Sequence, residues 1–173
     1  MFMLKAAIID DGIDASQFKN VKSWVIKKDL SIENENIISV KDNHACTCLK
    51  IIQKYCDMSD VFWHSIKILN DDTKRGNIRQ FIEALRLCEQ LEVKIIHLSI
   101  GTRSYSDFNL IEKSIEALCD KGTIIIAAAC NEGTVAYPAC MNGVIGVKCD
   151  FSATDQQYLY CLLYTSPSPR DKR

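Results

Sequence analysis

Two features of the 173-residue sequence predict an α/β fold with a doubly wound parallel sheet. Seven short apolar runs, many of them rich in β-branched residues, are typical of strands that are buried on both faces. Three longer stretches carry apolar residues three or four positions apart, which is typical of amphipathic helices. Because the two patterns alternate along the chain, right-handed crossovers would place the strands side by side in one parallel sheet.

The individual elements follow from these patterns in chain order. Strands are predicted at residues 4–9, 23–26, 37–40, 61–69, 94–99, 123–129 and 144–147, and helices at residues 44–55, 77–91 and 107–121. The apolar positions of the three helices are Cys48, Ile51, Ile52 and Tyr55 in the first, Ile78, Ile82, Leu85 and Cys88 in the second, and Ile111, Ile115 and Leu118 in the third. Asp107 is the predicted N-cap of the third helix, and Gly122 is its predicted C-terminal stop.

Composition and charge indicate one ordinary globular domain. The sequence is 47% hydrophobic and 25% charged, with a formal net charge of −1. It contains no extended basic run, no apolar stretch of transmembrane length and no signal-like N-terminus. We therefore expect no nucleic-acid partner, no membrane partner and a cytoplasmic location.

The nine cysteines are scattered along the chain, and several of them fall inside predicted helices and strands. This distribution is typical of reduced core thiols and not of a disulfide framework. Cys46 and Cys48 lie close to His44, but a Cys-x-Cys pair without a second paired cluster is not a zinc signature. We therefore expect no metal site and no cofactor.

The last thirteen residues, 161–173, abandon the apolar periodicity of the rest of the chain. They begin Cys-Leu-Leu-Tyr-Thr-Ser-Pro-Ser-Pro-Arg-Asp, a composition typical of a disordered terminus. The run also resembles a sequencing adapter translated in frame, so we exclude it from the fold prediction. The expected organisation is a domain over residues 1–160 followed by an artefactual, disordered tail.

The first strand ends abruptly in carboxylates, in the run Ala7-Ile8-Ile9-Asp10-Asp11-Gly12. A buried parallel strand would deliver these acids to the carboxyl edge of the sheet, where open sheets place their sites. Three interpretations are open at this point: an acidic pocket that binds Mg²⁺, a solvated turn without chemistry, or the Asp of a Ser-His-Asp triad. The Mg²⁺ pocket also needs a further Asp and a Lys at later strand ends, and the order of helices and strands does not support it.

Three further segments favour the triad. His44 opens the first helix, the run Ser99-Ile100-Gly101 ends the fifth predicted strand, and Ala128-Ala129-Cys130-Asn131 ends the sixth. Small residues at a strand end let a ligand approach the backbone, and an Asn there can direct its amide at a developing oxyanion. The same segments would also be compatible with a capping histidine and an ordinary turn.

Taken together, these motifs resemble the subtilisin-like serine proteases, or subtilases, from about residue 4 to about residue 147. The run that ends in Asp10 is similar to the catalytic Asp segment of the family, and His44 stands where the His-Gly-Thr motif of the family opens its helix. In this family the triad residues follow in the chain order Asp, His, Ser. The runs Tyr137-Pro138-Ala139 and Val144-Ile145-Gly146-Val147 also fit the family pattern.

The resemblance implies a function for each matched position. Asp10 would orient His44, His44 would be the general base, and Asn131 would stabilise the oxyanion. The segment from Ser99 to Gly101 would pair with a substrate peptide, and Ala128, Ala129 and Cys130 would line the opposite wall of the substrate pocket. The implied function is serine endopeptidase activity on peptide or protein substrates, without a cofactor, although members of the family can bind calcium.

The sequence departs from the family pattern in three places. Ala45 and Cys46 replace the Gly and Thr that follow the histidine, and Cys130 replaces a glycine of the pocket wall. The Gly-Thr-Ser-Met-Ala segment that carries the nucleophile is absent from the 173 residues. We therefore expect a partial catalytic domain that is inactive by itself. The alternative is a non-catalytic peptide-binding module, or pseudo-protease, of the same fold.

Overall fold

The fold is a seven-stranded sheet with helices on both faces. It is seen in a computed structural model that describes residues 3–35, 43–57, 59–130 and 134–149. The strands are β1 (Leu4–Asp10), β2 (Val21–Ile26), β3 (Ile32–Asn34), β4 (Val61–Lys67), β5 (Ile95–Leu98), β6 (Ile124–Ala128) and β7 (Val144–Val147). The helices are α1 (His44–Tyr55), α2 (Ile78–Gln90) and α3 (Tyr105–Asp120), with a short 3₁₀ helix at Ala15–Gln17.

The strand order is β3-β2-β4-β1-β5-β6-β7, and every neighbouring pair is parallel except β2 with β3. From β1 the chain forms β2 and β3 on one side, returns to place β4 between β2 and β1, and then adds β5, β6 and β7 on the other side. This reversal of strand order beside β1 is the point at which open α/β sheets form their ligand crevices. The predicted fold class is confirmed.

The two faces of β1 belong to two apolar clusters. Ala7 and Ile9 pack with α2 and α3, whereas Ala6 and Ile8 pack with α1. All four side chains are at most 1% exposed. Because both faces of the strand are covered, its sequence is a continuous apolar run with no polar alternation, as the sequence analysis predicted.

The helix bounds agree well with the sequence-based prediction, but the buried face of α1 was predicted wrongly. Helix α1 spans the predicted residues 44–55, yet the residues it buries are Ala45, Cys46 and Leu49. Ile51 and Tyr55, which belong to the apolar face that the sequence indicated, are 53% and 56% exposed. Small side chains allow the helix start to approach β1 closely, and periodicity counted from large apolar residues misses that face.

Two local predictions also need correction. Asp107 is not the N-cap of α3: the N-cap is Ser104, and the carboxylate of Asp107 accepts a 2.6 Å hydrogen bond from the Thr102 hydroxyl. The predicted strand at residues 37–40 lies outside the described residues, and the sequence analysis did not find β3. Gly122, with a φ of +75°, follows the end of α3 as predicted, since that conformation strongly favours glycine.

The sheet face that α1 covers beside β1 carries no helix beside the last two strands, as far as the described residues extend. Ile124, Ile145 and Val147 are 49%, 53% and 50% exposed there. This strip of β-branched residues is apolar although solvent reaches it. None of the helices in the described ranges combines the length and the apolar character that crossing a bilayer requires.

Candidate active site

The site forms where β1 ends and α1 begins. Asp10 is the last residue of β1, His44 is the first residue of α1, and the His44 Nδ1 atom lies 2.7 Å from the Asp10 Oδ2 atom. The Asp10 side chain is 3% exposed, whereas that of His44 is 58% exposed. The other Asp10 oxygen, Oδ1, accepts a 2.8 Å hydrogen bond from the Asp11 backbone N–H. The contact expected between these two side chains is therefore present.

This geometry determines which imidazole nitrogen can do chemistry. A buried carboxylate at Nδ1 favours the tautomer that carries its proton on Nδ1 and donates it to Asp10. The Nε2 atom is then left with its lone pair, on the side of the ring away from Asp10. A histidine held in this way can act as a general base.

The start of α1 is held by two further polar side chains. The Asn43 amide oxygen accepts a 2.9 Å hydrogen bond from the Cys46 backbone N–H, and its amide group donates to the Gly12 carbonyl oxygen. Asp11 accepts hydrogen bonds from the backbone N–H groups of His44 (3.1 Å) and Ala45 (3.0 Å). These bonds occupy amides that would otherwise be orphaned in the first turn of the helix.

Asp11 is also paired with a lysine. The Lys74 ammonium lies 3.1 Å from Asp11 Oδ2. Burial by itself would raise the pKa of Asp11, but the hydrogen bonds from Ala45, His44 and Lys74 outweigh it and hold that pKa below its ordinary value. The two adjacent carboxylates therefore have separate tasks: Asp10 contacts the imidazole, and Asp11 anchors the helix that carries it.

The replacements after the histidine fit this arrangement. Ala45 and Cys46 are 0% and 1% exposed, and both pack into the apolar cluster between α1 and β1. The helix start therefore accepts an alanine and a cysteine where the family pattern has glycine and threonine, without losing its hydrogen-bonded first turn.

A cavity of about 680 Å³ lies beside the dyad. Asp10 and His44 form one part of its wall, and Ser99, Ile100 and Gly101 form another. The strand ladders of β5 with β1 and with β6 both end at Leu98. The segment from Ser99 to Gly101 therefore continues past the last paired residue along the wall of the cavity, a position that suits pairing with a peptide.

Gly101 is needed for close backbone packing. A Cβ atom at this position would lie 3.0 Å from the carbonyl oxygen of Tyr137. The next residue, Thr102, exchanges two backbone hydrogen bonds with Tyr137, of 2.9 and 2.8 Å. A larger residue would push the segment away from this bridge.

The remaining predicted residues lie elsewhere or outside the described ranges. Ala128 ends β6, the Ala129 N–H donates to the Val147 carbonyl oxygen over 2.8 Å, and the Thr134 hydroxyl donates to the Cys130 sulfur over 3.1 Å. Among the described residues, the wall of the cavity beside His44 does not include these three positions. Asn131 lies outside the described residues.

The structure brings two further side chains to the site, those of Cys48 and His97. Cys48 lies one helical turn beyond His44, and its Sγ atom is 3.7 Å from the Ser99 Oγ atom. The same hydroxyl lies 2.9 Å from His97 Nε2. Burial lowers the pKa of His97, although the Asp10 carboxylate acts in the opposite direction. The i to i+4 spacing alone could have placed Cys48 beside His44, but no sequence signal places Ser99 there.

Comparisons with known proteins agree with this fold. The family described as "Subtilase family" matches residues 4–159. Among solved structures, the chain is similar to the S41 psychrophilic protease, with a TM-score of 0.66 and 21% identity over 84% of this chain and 52% of that one.

Two further structures give a similar result. The chain is similar to a lanthipeptide protease (TM-score 0.65, 15% identity, 83% of this chain and 47% of that one). It is also similar to the epidermin leader peptide processing serine protease EpiP from Staphylococcus aureus (TM-score 0.63, 14% identity, 84% and 46%). The chain spans about half the length of these structures, and similarity at such identities establishes a shared fold. No curated protein matches the chain at a significant level.

Proposed function

The chain belongs to the subtilase family, and we propose that it forms the part of a serine endopeptidase that carries the acid and the base of the catalytic triad. The observation that carries this proposal is the 2.7 Å contact between the buried Asp10 carboxylate and the exposed His44 ring. The proposed substrates are peptides or proteins, which would lie along the segment from Ser99 to Gly101.

In the proposed reaction, Asp10 keeps the proton of His44 on Nδ1, so that Nε2 can take the proton of a serine nucleophile. The carboxylate then stabilises the imidazolium that forms, and the imidazolium later returns its proton to the leaving amine. We propose Asn131 as the donor to the oxyanion of the tetrahedral intermediate. We also propose that Ala128, Ala129 and Cys130 line the wall of the substrate pocket opposite the segment from Ser99 to Gly101.

The tautomer of His44 provides the direct test of this proposal. We expect nitrogen NMR of the labelled chain near pH 8 to show the His44 proton on Nδ1, because Asp10 accepts it there. In the Asp10→Asn variant an amide can donate to Nδ1 instead, so the proton should move to Nε2. Finding the wild-type proton on Nε2, or finding no change in the variant, would refute the assignment of His44 as the base.

A second test concerns the nucleophile. The 173 residues include no Gly-Thr-Ser-Met-Ala segment, so we expect this chain to show no labelling by a fluorophosphonate probe. Mass spectrometry of the treated chain measures this directly, and an active subtilase treated in parallel is the control. Stoichiometric labelling at Ser99, which lies within reach of His97, would show that the chain has a nucleophile of its own.

A non-catalytic peptide-binding module is the second candidate function. It is favoured by the segment from Ser99 to Gly101, which lies beyond the end of both strand ladders and could pair with a peptide strand without any chemistry. Sequencing the locus beyond codon 160 separates the two candidates. A continuation with a Gly-Thr-Ser segment supports the protease, and a stop codon at that point supports the module.

We also propose a cytosolic location without a resident cofactor. Cys46 and Cys88 are at most 1% exposed and pack among apolar side chains, as reduced core thiols do. Burial raises the pKa of Cys88 far above its ordinary value, so this thiol stays protonated and unreactive.

A further inference from the structure

The loop of residues 70–76 leads from β4 towards α2 and contributes to the wall of the cavity beside the dyad. It is closed by hydrogen bonds of its own. The Asn70 side-chain oxygen accepts from the backbone N–H groups two and three residues later, over 3.0 Å in both cases. The Asn70 N–H donates to the Arg75 carbonyl oxygen over 3.0 Å, and the Lys74 N–H donates to the Asn70 carbonyl oxygen over 2.9 Å. These bonds fix the backbone from which Lys74 and Arg75 extend.

Of the two cations that this loop places in the cavity wall, one has a partner. The Lys74 ammonium lies 3.1 Å from the Asp11 carboxylate. The acidic side chain of Asp71, in the same loop, is occupied by Lys67 at 2.7 Å. Arg75 is exposed, and its guanidinium forms no ion pair with any residue of the described ranges.

The carboxylates of the cavity wall do not compensate for the charge of Arg75. Asp10 and Asp11 are both 2% exposed, and each of their oxygens is already hydrogen-bonded within the site. Asp107 lines a separate, smaller cavity of about 190 Å³, where it accepts a hydrogen bond from a threonine hydroxyl. The unpaired charge that the described wall presents to the cavity is therefore positive.

We propose that Arg75 selects peptide substrates that carry an acidic side chain, aspartate or glutamate, close to the bond that is cleaved. The inference rests on the proposed function, because it takes the segment from Ser99 to Gly101 as the wall along which the peptide lies. A guanidinium is planar and can bind both oxygens of a carboxylate in two parallel hydrogen bonds. A basic side chain at the same position would meet a like charge, so the wall also disfavours lysine and arginine there.

The size of the cavity limits how far the acidic residue can be from the cleaved bond. A roughly spherical cavity of about 680 Å³ is about 11 Å across, which an extended peptide spans with about three residues at roughly 3.3 Å each. His44 and Arg75 line this same cavity. The acidic side chain therefore belongs to a residue within about three positions of the bond that His44 would help to cleave.

Peptide binding by the 173-residue chain tests this preference without requiring proteolysis. The probes are three blocked pentapeptides of alanine that have glutamate, glutamine or lysine in the middle. The backbone NMR signals of Ser99, Ile100 and Gly101 report binding even when it is weak. We expect the glutamate peptide to bind about two- to fivefold more tightly than the glutamine peptide, as one exposed ion pair contributes, and the lysine peptide to bind most weakly. Added salt should reduce these differences.

Charge reversal at position 75 provides the decisive comparison. Arg75→Glu should invert the order, so that the lysine peptide binds most tightly, and Arg75→Lys should keep the original order. In the described part of the chain, Arg75 contributes only its carbonyl oxygen to the closure of the loop, so both variants should leave the loop intact. The matched control is Arg79→Glu, which makes the same charge change at an exposed arginine of α2 that lines neither cavity, and the order should stay unchanged.

The possible failures can be told apart. Equal affinities for the glutamate and glutamine peptides, or an unchanged order in Arg75→Glu, would overturn the inference and leave peptide binding by the segment intact. Inversion by Arg79→Glu as well would also overturn it, because the preference would then come from the overall charge of the chain. If none of the three peptides binds, the inference fails together with the assignment of the segment. The His44 tautomer is measured without any peptide, so it tests the proposed function separately.

Discussion

Replacing Asp11 with asparagine is expected to lower the free energy of unfolding by about 3 kcal/mol, because it removes a buried anion that holds three donors. The two carboxylate oxygens accept from the backbone N–H groups of His44 and Ala45 and from the Lys74 ammonium. An amide has only one acceptor oxygen, so its NH₂ group would face at least one of these donors. Chemical denaturation of the wild type and the variant at pH 7 measures the difference.

The neighbouring carboxylate provides a matched control for this prediction. Asp10 and Asp11 are both 2% exposed, but among the described residues the Asp10 carboxylate has hydrogen bonds only with the Asp11 N–H and the His44 ring. An asparagine at position 10 can accept from the first and donate to the second. We therefore expect Asp10→Asn to cost less than about 1 kcal/mol. Equal losses in the two variants would show that the buried charge matters and the helix anchoring does not.

The contribution of Asp11 should also depend on pH in a defined direction. Its pKa in the folded protein lies below the ordinary value of 3.8, because the hydrogen bonds outweigh the effect of burial. The unfolded chain therefore takes up this proton at a higher pH than the folded protein does. The stability that Asp11 provides is complete well above pH 3.8 and is lost as the pH falls through the pKa of the folded state.

His64 should make the protein less stable by about 3 kcal/mol when the pH falls from 7 to below 4. Burial lowers the pKa of this histidine from 6.5 to about 4, and the charges of Lys5 and Lys22 act in the same direction. Its Nδ1 atom accepts a 3.2 Å hydrogen bond from the Trp24 indole N–H, which a protonated ring could not accept. Between pH 6.5 and about pH 4, His64 is therefore protonated in the unfolded chain and neutral in the folded protein.

The variant His64→Asn isolates this effect, since the asparagine amide oxygen can take the place of Nδ1 and does not titrate. Denaturant unfolding at pH 7, 5.5 and 4 should show a clearly shallower loss of stability in the variant than in the wild type. Part of the slope should remain, because burial also lowers the pKa of His97. Identical slopes in the two proteins would mean that His64 is already protonated, or reached by solvent, in the folded state.

Much of the fold could be predicted because buried elements leave a local pattern in the sequence. The continuous apolar run of β1 indicated a strand covered on both faces, and Ile111, Ile115 and Leu118 indicated the buried face of α3, where all three are at most 2% exposed. The predicted bounds of α1 and β7 agree with the structure at both ends. The buried face of α1 was not recognised, because it is formed largely by small residues. Alanine and cysteine are common in both exposed and buried positions, so their spacing gives no clear signal.

The sequence by itself determined the fold class, the family resemblance and the two residues proposed as the acid and the base, because each of these rests on short local motifs in the chain. Only the tertiary structure decided which atoms meet. The pairing of Asp10 with His44, the anchoring of the helix by Asp11 and Lys74, and the approach of Cys48 to Ser99 join elements separated by 33 to 63 positions. Such contacts are set by the parallel order of the strands and by the face on which α1 packs, and no local pattern in the chain encodes them.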